Sequence, residues 1–171
     1  MLRPSKKLLP LAIVLASLSL AASPAPADPA QLLHKHAPRF VRTGLDGRRI
    51  DLAAFRGKVV LLTFWATWCA PCQVEMPRFI DWQNHYRPQG LQILAVSLDD
   101  DPEVARSLVS QRNVNYPVLM GDLRLARAYG KILGLPVNFL IDRRGKVAAI
   151  FQGESDPDKM ESALRALLNA R

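Results

Sequence analysis

Residues 59–66 (VVLLTFWA) form a nearly unbroken apolar run rich in β-branched and aromatic side chains, the pattern of a strand covered on both faces. Cys69 and Cys72 follow at once, and residues 73–87 then place Val74, Phe79, Ile80, Trp82 and Tyr86 at helical intervals, with a kink expected at Pro77. The cysteine pair therefore stands where a buried strand turns into a helix. At such a start Cys69 faces unpaired backbone N–H groups and the positive end of the helix dipole, which favour its thiolate. Cys72 lies one turn further on, close enough for a disulfide with little backbone movement.

These are the only two cysteines in the chain. A purely structural disulfide is one reading, but stabilisation by cross-linking grows with loop length, and this loop is very short. A zinc site is a second. CxxC supplies half of one, yet only His34, His36 and His85 remain as partners of the usual kind, and none of their spacings makes a second half-site. No metal is therefore assigned. Redox catalysis is the third reading, and the helix-start position gives it a physical reason.

The rest of the chain alternates strands and helices. Asp46-Gly47 reads as a turn between two short strands. Leu91–Ser97 is a second apolar strand, and Asp99 to Asp101 with Pro102 opens a helix to about Arg112, the acidic run reading as a solvated cap rather than a cation site. A short helix is expected over roughly 123–131. Val137–Ile141 and Val147–Phe151 are strands joined by Asp142-Arg143-Arg144-Gly145, and Asp156-Pro157 begins a last amphipathic helix to about Asn169. This is one α/β domain, a sheet with helices on both faces and no internal repeat. At 49% hydrophobic and 22% charged residues, a disordered or fibrous chain is excluded. The net charge of +8 falls to +5 without Arg3, Lys6 and Lys7, and the remaining cations are scattered, so no nucleic-acid partner is expected.

Residues 1–27 read as an export signal: a cationic start, an uncharged apolar stretch from Leu8 to Ala22, and Ala25-Pro26-Ala27 as a cleavage site. A retained membrane anchor is the alternative, but the stretch is shorter than the roughly 20 residues of a spanning helix and contains Pro10. Residues 28–36 then form an N-terminal arm ahead of a domain at 37–171, which is expected to work in the periplasm, where disulfides persist.

Residues 57–77 (GKVVLLTFWATWCAPCQVEMP) resemble the active-site region of thioredoxin-like proteins, most of all the exported TlpA/ResA-like thiol–disulfide oxidoreductases. Ala37-Pro38-Arg39-Phe40, Asp46-Gly47, the strand at 91–97, and 134–142 (GLPVNFLID) with its Arg143-Arg144-Gly145 turn extend the resemblance over most of the domain. It implies a thioredoxin-like α/β fold: a central mixed sheet flanked by helices, with an N-terminal β-hairpin and a central helical insertion. It further implies that Cys69 and Cys72 are a redox-active disulfide needing no cofactor. Pro136 is then the proline preceded by a cis bond beside the pair, leaving the backbone of Leu135 free to bind an extended substrate. Without the resemblance, Pro136 is a proline at a strand start.

Glu75 lies three residues after Cys72, on the same helical face as that cysteine and Phe79. It is either an exposed helix-start acid or a carboxyl tucked beneath the pair, raised in pKa by burial and able to move protons for the buried thiol. The resemblance favours the second, because ResA-like proteins carry a tuning glutamate there. Cytoplasmic thioredoxin has a buried aspartate at the place of Thr63, which cannot titrate. Of the three tryptophans, Trp65 and Trp82 read as core and Trp68, next to Cys69, as a substrate contact.

The expected activity is reduction of disulfides in exported proteins, such as apocytochrome c or a metal-site subunit of an oxidase, by a monomer that a membrane electron donor re-reduces. The alternatives are a copper carrier using Cys69, Cys72 and Met76, and a thiol peroxidase, although peroxiredoxins place a lone cysteine where this chain has a pair.

Overall fold

The structure, a computed structural model, describes residues 28–170. The signal-segment reading falls on residues 1–27 and lies outside the described residues. Among the described residues, no helix is long and apolar enough to cross a membrane.

A five-stranded mixed sheet forms the centre. Its strands are β3 (Val59–Trp65), β4 (Leu91–Ser97), β5 (Val118–Met120), β6 (Val137–Ile141) and β7 (Val147–Gln152), in the spatial order β5-β4-β3-β6-β7. β3 runs parallel to β4 and antiparallel to β6, and it is buried along its whole length. β1 (Val41–Thr43) and β2 (Arg49–Asp51) form the expected hairpin. Gly47 turns it at a φ of 80°, a conformation that costs glycine nothing.

Helices cover both faces. α1 (Ala70–Tyr86), α2 (Pro102–Gln111) and α4 (Pro157–Asn169) pack over the face that carries Leu61, Trp65, Ile93 and Leu140. α3 (Leu123–Ala128), the hairpin and the short 3-10 turns at 29–32 and 52–55 cover the other, which carries Val60, Leu62, Phe64 and Phe139. The central helical insertion lies between β4 and β6. The arm at 28–36 is tied to the sheet: Leu33 and His36 bridge to Val147 and Lys146, and Leu32 is buried.

α1 runs from Ala70 to Tyr86 with Pro77 inside it. Two local expectations are corrected. α3 stops at Ala128, because Gly130 and Lys131 take positive φ values of 97° and 52°. Only Asp101 of the acidic run is an exposed cap, accepting from the Glu103 N–H. Asp99 is buried.

Candidate active site

β3 ends at Trp65, and the chain turns through Thr67 and Trp68 into α1. Cys69 is the N-cap of that helix, and its Sγ accepts from the Cys72 N–H at 3.3 Å. Thr67 is clamped on both sides. The Asp99 carboxylate accepts from its N–H at 3.1 and 3.0 Å and from its hydroxyl at 2.6 Å, while the Gln73 carboxamide donates to its carbonyl at 2.7 Å. Ser97 also donates to Asp99, at 2.7 Å. The turn presenting Cys69 is therefore fixed by a carboxylate from the end of β4, a partner 32 residues away that no local pattern reveals.

Cys69 and Cys72 are joined in a disulfide, with their Cα atoms 5.3 Å apart. Both are buried, while Trp68 beside them is 71% exposed. Trp65 and Trp82 are core residues. The Leu135–Pro136 bond is cis. Because Val137 pairs with Phe64, Pro136 stands level with Trp65, at the end of β3 from which the cysteine turn departs. Among the described residues, the backbone N–H and carbonyl of Leu135 have no hydrogen-bond partner.

Glu75 is half-buried and lines a cavity of about 150 Å³ with Pro71, Phe79, Trp82 and Met160. Cys72 lines a separate space of about 10 Å³ with Thr63, Met76 and Tyr116. Phe79 lines both the space at Cys72 and the cavity at Glu75, and the Glu75 charge reaches Tyr116 on the Cys72 side. The difference in volume matters. The Cys72 space is at the lower limit for a single water, whereas the Glu75 cavity admits several. Burial pushes the Glu75 carboxyl up from its ordinary 4.5 to about 7, against the opposing effect of a hydrogen bond from Asn138. Burial raises the Tyr116 phenol as well, and the charge of Glu75 adds to that rise.

The sequence reading missed Asn138, which brings its carboxamide onto Glu75 from β6. The available signal was a single polar side chain inside the apolar run VNFLI. A helix-start cysteine pair, a perturbed carboxyl one turn on, and an unpaired backbone strip at the same sheet end can together exchange a disulfide and move the proton the exchange requires.

Residues 33–150 match the AhpC/TSA family. The chain is 37% identical over 134 residues to the thiol-disulfide oxidoreductase ResA of Bacillus thuringiensis subsp. konkukian, covering 78% of this chain and 77% of the relative. The chain belongs to the AhpC/TSA family, among its ResA-like thiol-disulfide oxidoreductases. The ResA of Bacillus subtilis is 36% identical over 118 residues, covering 68% of this chain and 65% of that protein. Among solved structures, a Chlorobium tepidum protein described as a thiol:disulfide interchange protein DsbE superposes with a TM-score of 0.73. It is 33% identical, and the match covers 86% of this chain and all of that one. The thioredoxin-like fold and the thiol–disulfide oxidoreductase activity are thereby shown.

Proposed function

We propose that this enzyme works in the periplasm as a reductant of disulfides in exported proteins, with Cys69 as the attacking and Cys72 as the resolving cysteine. The observation that carries this reading is the placement of Cys69 Sγ as the helix N-cap, where a backbone N–H already points at it and the helix dipole favours its thiolate.

The Cys69 thiolate attacks one sulfur of a substrate disulfide, and the other substrate sulfur leaves as a thiolate that takes a proton from solvent. In the resulting mixed disulfide, Cys72 gives its proton to Glu75 and attacks Cys69 Sγ. The bond from Cys69 to the substrate breaks and the second substrate thiol departs. The substrate gains two electrons, and the protein is left as the Cys69–Cys72 disulfide. A membrane electron donor then restores the dithiol.

Trp68 and the free backbone of Leu135, held by Pro136, form the substrate-binding strip. A contact through backbone accepts extended segments with little regard to sequence. This suits a protein that reduces the haem-binding cysteines of an apocytochrome c or the metal-site cysteines of an oxidase subunit. Export is supported by the composition of residues 1–27.

The purified mature protein, once reduced, should reduce insulin disulfides stoichiometrically. Cys72→Ser should instead accumulate a mixed disulfide on Cys69. Copper binding measured on the same preparation separates this reading from copper carriage: tight copper binding without insulin reduction overturns it.

A further inference from the structure

Among the described residues, the Glu75 carboxylate accepts hydrogen bonds from one group only. Asn138 Nδ2 lies 3.2 Å from Oε1 and 3.1 Å from Oε2. Asn138 sits inside β6, opposite Thr63 of β3 and Phe151 of β7, and is fully buried. A carboxamide is an expensive occupant of such a place. Its Oδ1 is buried with no hydrogen-bond partner, a shortfall that a valine or leucine would avoid. What the carboxamide supplies, and an apolar side chain would not, is an N–H aimed at Glu75. Nδ2 is almost equidistant from the two carboxylate oxygens, an arrangement that suits the ionised group, because the neutral acid carries a proton on one of them.

We propose that Asn138 is a positioning residue for proton transfer: it aims and steadies the ionised Glu75 so that Glu75 can take the Cys72 proton as the mixed disulfide resolves. The proton passes from Cys72 Sγ to a Glu75 oxygen, the Cys72 thiolate displaces the substrate sulfur from Cys69, and neutral Glu75 then releases its proton to solvent through its cavity. This rests on the reading of the cysteine pair given above. Burial and the Asn138 bond oppose each other at Glu75, and the bond holds the acid where it can both accept and release a proton near neutral pH.

The other titratable and charged groups around Glu75 do not substitute for Asn138. On α1 these are Cys72 and Arg78, and Arg78 is engaged by Asp158 of α4 at 3.6 Å. Glu154, after β7, lines the same cavity with the same sign of charge, and Tyr116 feels the carboxylate from the Cys72 side.

The test uses the full-length mature chain with Asn138→Leu and the isosteric Asn138→Asp, each checked for folding by near-UV circular dichroism. Two quantities are read. One is the Glu75 midpoint in the oxidised protein, from side-chain carboxyl NMR shifts. The other is the pH profile of single-turnover resolution of a mixed disulfide, with Glu75→Gln identifying the limb that belongs to Glu75. Both variants should move the Glu75 midpoint upward by about one pH unit, and the Glu75 limb of the resolution profile should move with it. A folded variant whose Glu75 titrates as in the wild type overturns the proposal. A midpoint that moves while the resolution profile stays fixed overturns the proton-transfer role. Absence of any mixed disulfide on Cys69 in Cys72→Ser would instead overturn the redox reading on which the proposal rests.

Discussion

Asn138 and Phe139 are neighbours in β6, and they face opposite sides of the same sheet. On the Phe139 side, Phe64, Tyr129 and Phe139 pack with ring centroids 5.1 to 5.9 Å apart, and the Tyr129 hydroxyl donates to the Pro38 carbonyl at 2.8 Å. On the Asn138 side lie the cysteine pair, Thr63, Glu75 and Tyr116. The two buried polar side-chain atoms left unpaired among the described residues, Asn138 Oδ1 and Trp65 Nε1, both belong to this side. One face is built as a packed core with its polar groups satisfied. The other accepts unpaired polar atoms and a carboxyl raised by burial, features that stability alone would not select.

That contrast can be broken most forcefully at Cys72. Cys72→Ser should abolish multiple turnover and trap the mixed disulfide, which non-reducing mass spectrometry reads directly, while circular dichroism stays native. Phe139→Ala should do the reverse. It should lower unfolding stability by about 3–5 kcal/mol in denaturant and leave the pH profile of the redox reaction unchanged. A shift in that profile would mean that the two faces are not separable.

Glu75→Gln sharpens the comparison through pH. The folded value of Glu75, about 7, lies above its ordinary 4.5, so the folded state holds this proton more tightly than the unfolded chain does. Below pH 4.5 the group is neutral in both states and costs nothing. As pH rises from 4.5 to 7 the unfolded chain ionises first and stability is lost, and above 7 the whole penalty remains. Glu75→Gln should therefore match the wild type at pH 4 and exceed it at pH 8 by on the order of 2 kcal/mol, allowing for partial exposure. Equal stabilities at pH 8, from urea unfolding of the oxidised proteins, would place Glu75 among ordinary exposed acids.

The smallest effect belongs to Trp68→Ala. Because Trp68 is mostly exposed, stability should change by less than about 0.5 kcal/mol. KM for a protein disulfide should rise a few-fold and KM for a small-molecule disulfide should not, as measured in parallel assays.

The elements legible in the sequence were those with an uninterrupted local signal. β3 and β4 are long apolar runs, the cysteine pair marks a helix start, and Asp46-Gly47 and Asp142 to Gly145 mark hairpin turns. β5 has only three residues at a sheet edge, paired with β4 alone, too short for any periodicity to show. Asp99 and Asn138 were missed for a different reason. Each is defined by a partner far along the chain, Thr67 for one and Glu75 for the other, and a run of acids or a strand pattern carries no trace of such a pairing. The Glu75 assignment came from helical spacing and family likeness, but the cavity that Glu75 lines with Met160 depends on how α1 and α4 lie against each other.

The direction of electron flow is the central claim, and the reduction potential tests it most directly. No histidine or other cation stands between Cys69 and Cys72, so little beyond the helix terminus stabilises the Cys69 thiolate, and the ionised Glu75 carboxylate opposes it. Equilibrating the purified protein with glutathione buffers and trapping its thiols by alkylation should give a potential nearer about −270 mV than the −120 mV or so of a strong periplasmic oxidant. A value above about −160 mV would contradict the assignment as a reductant.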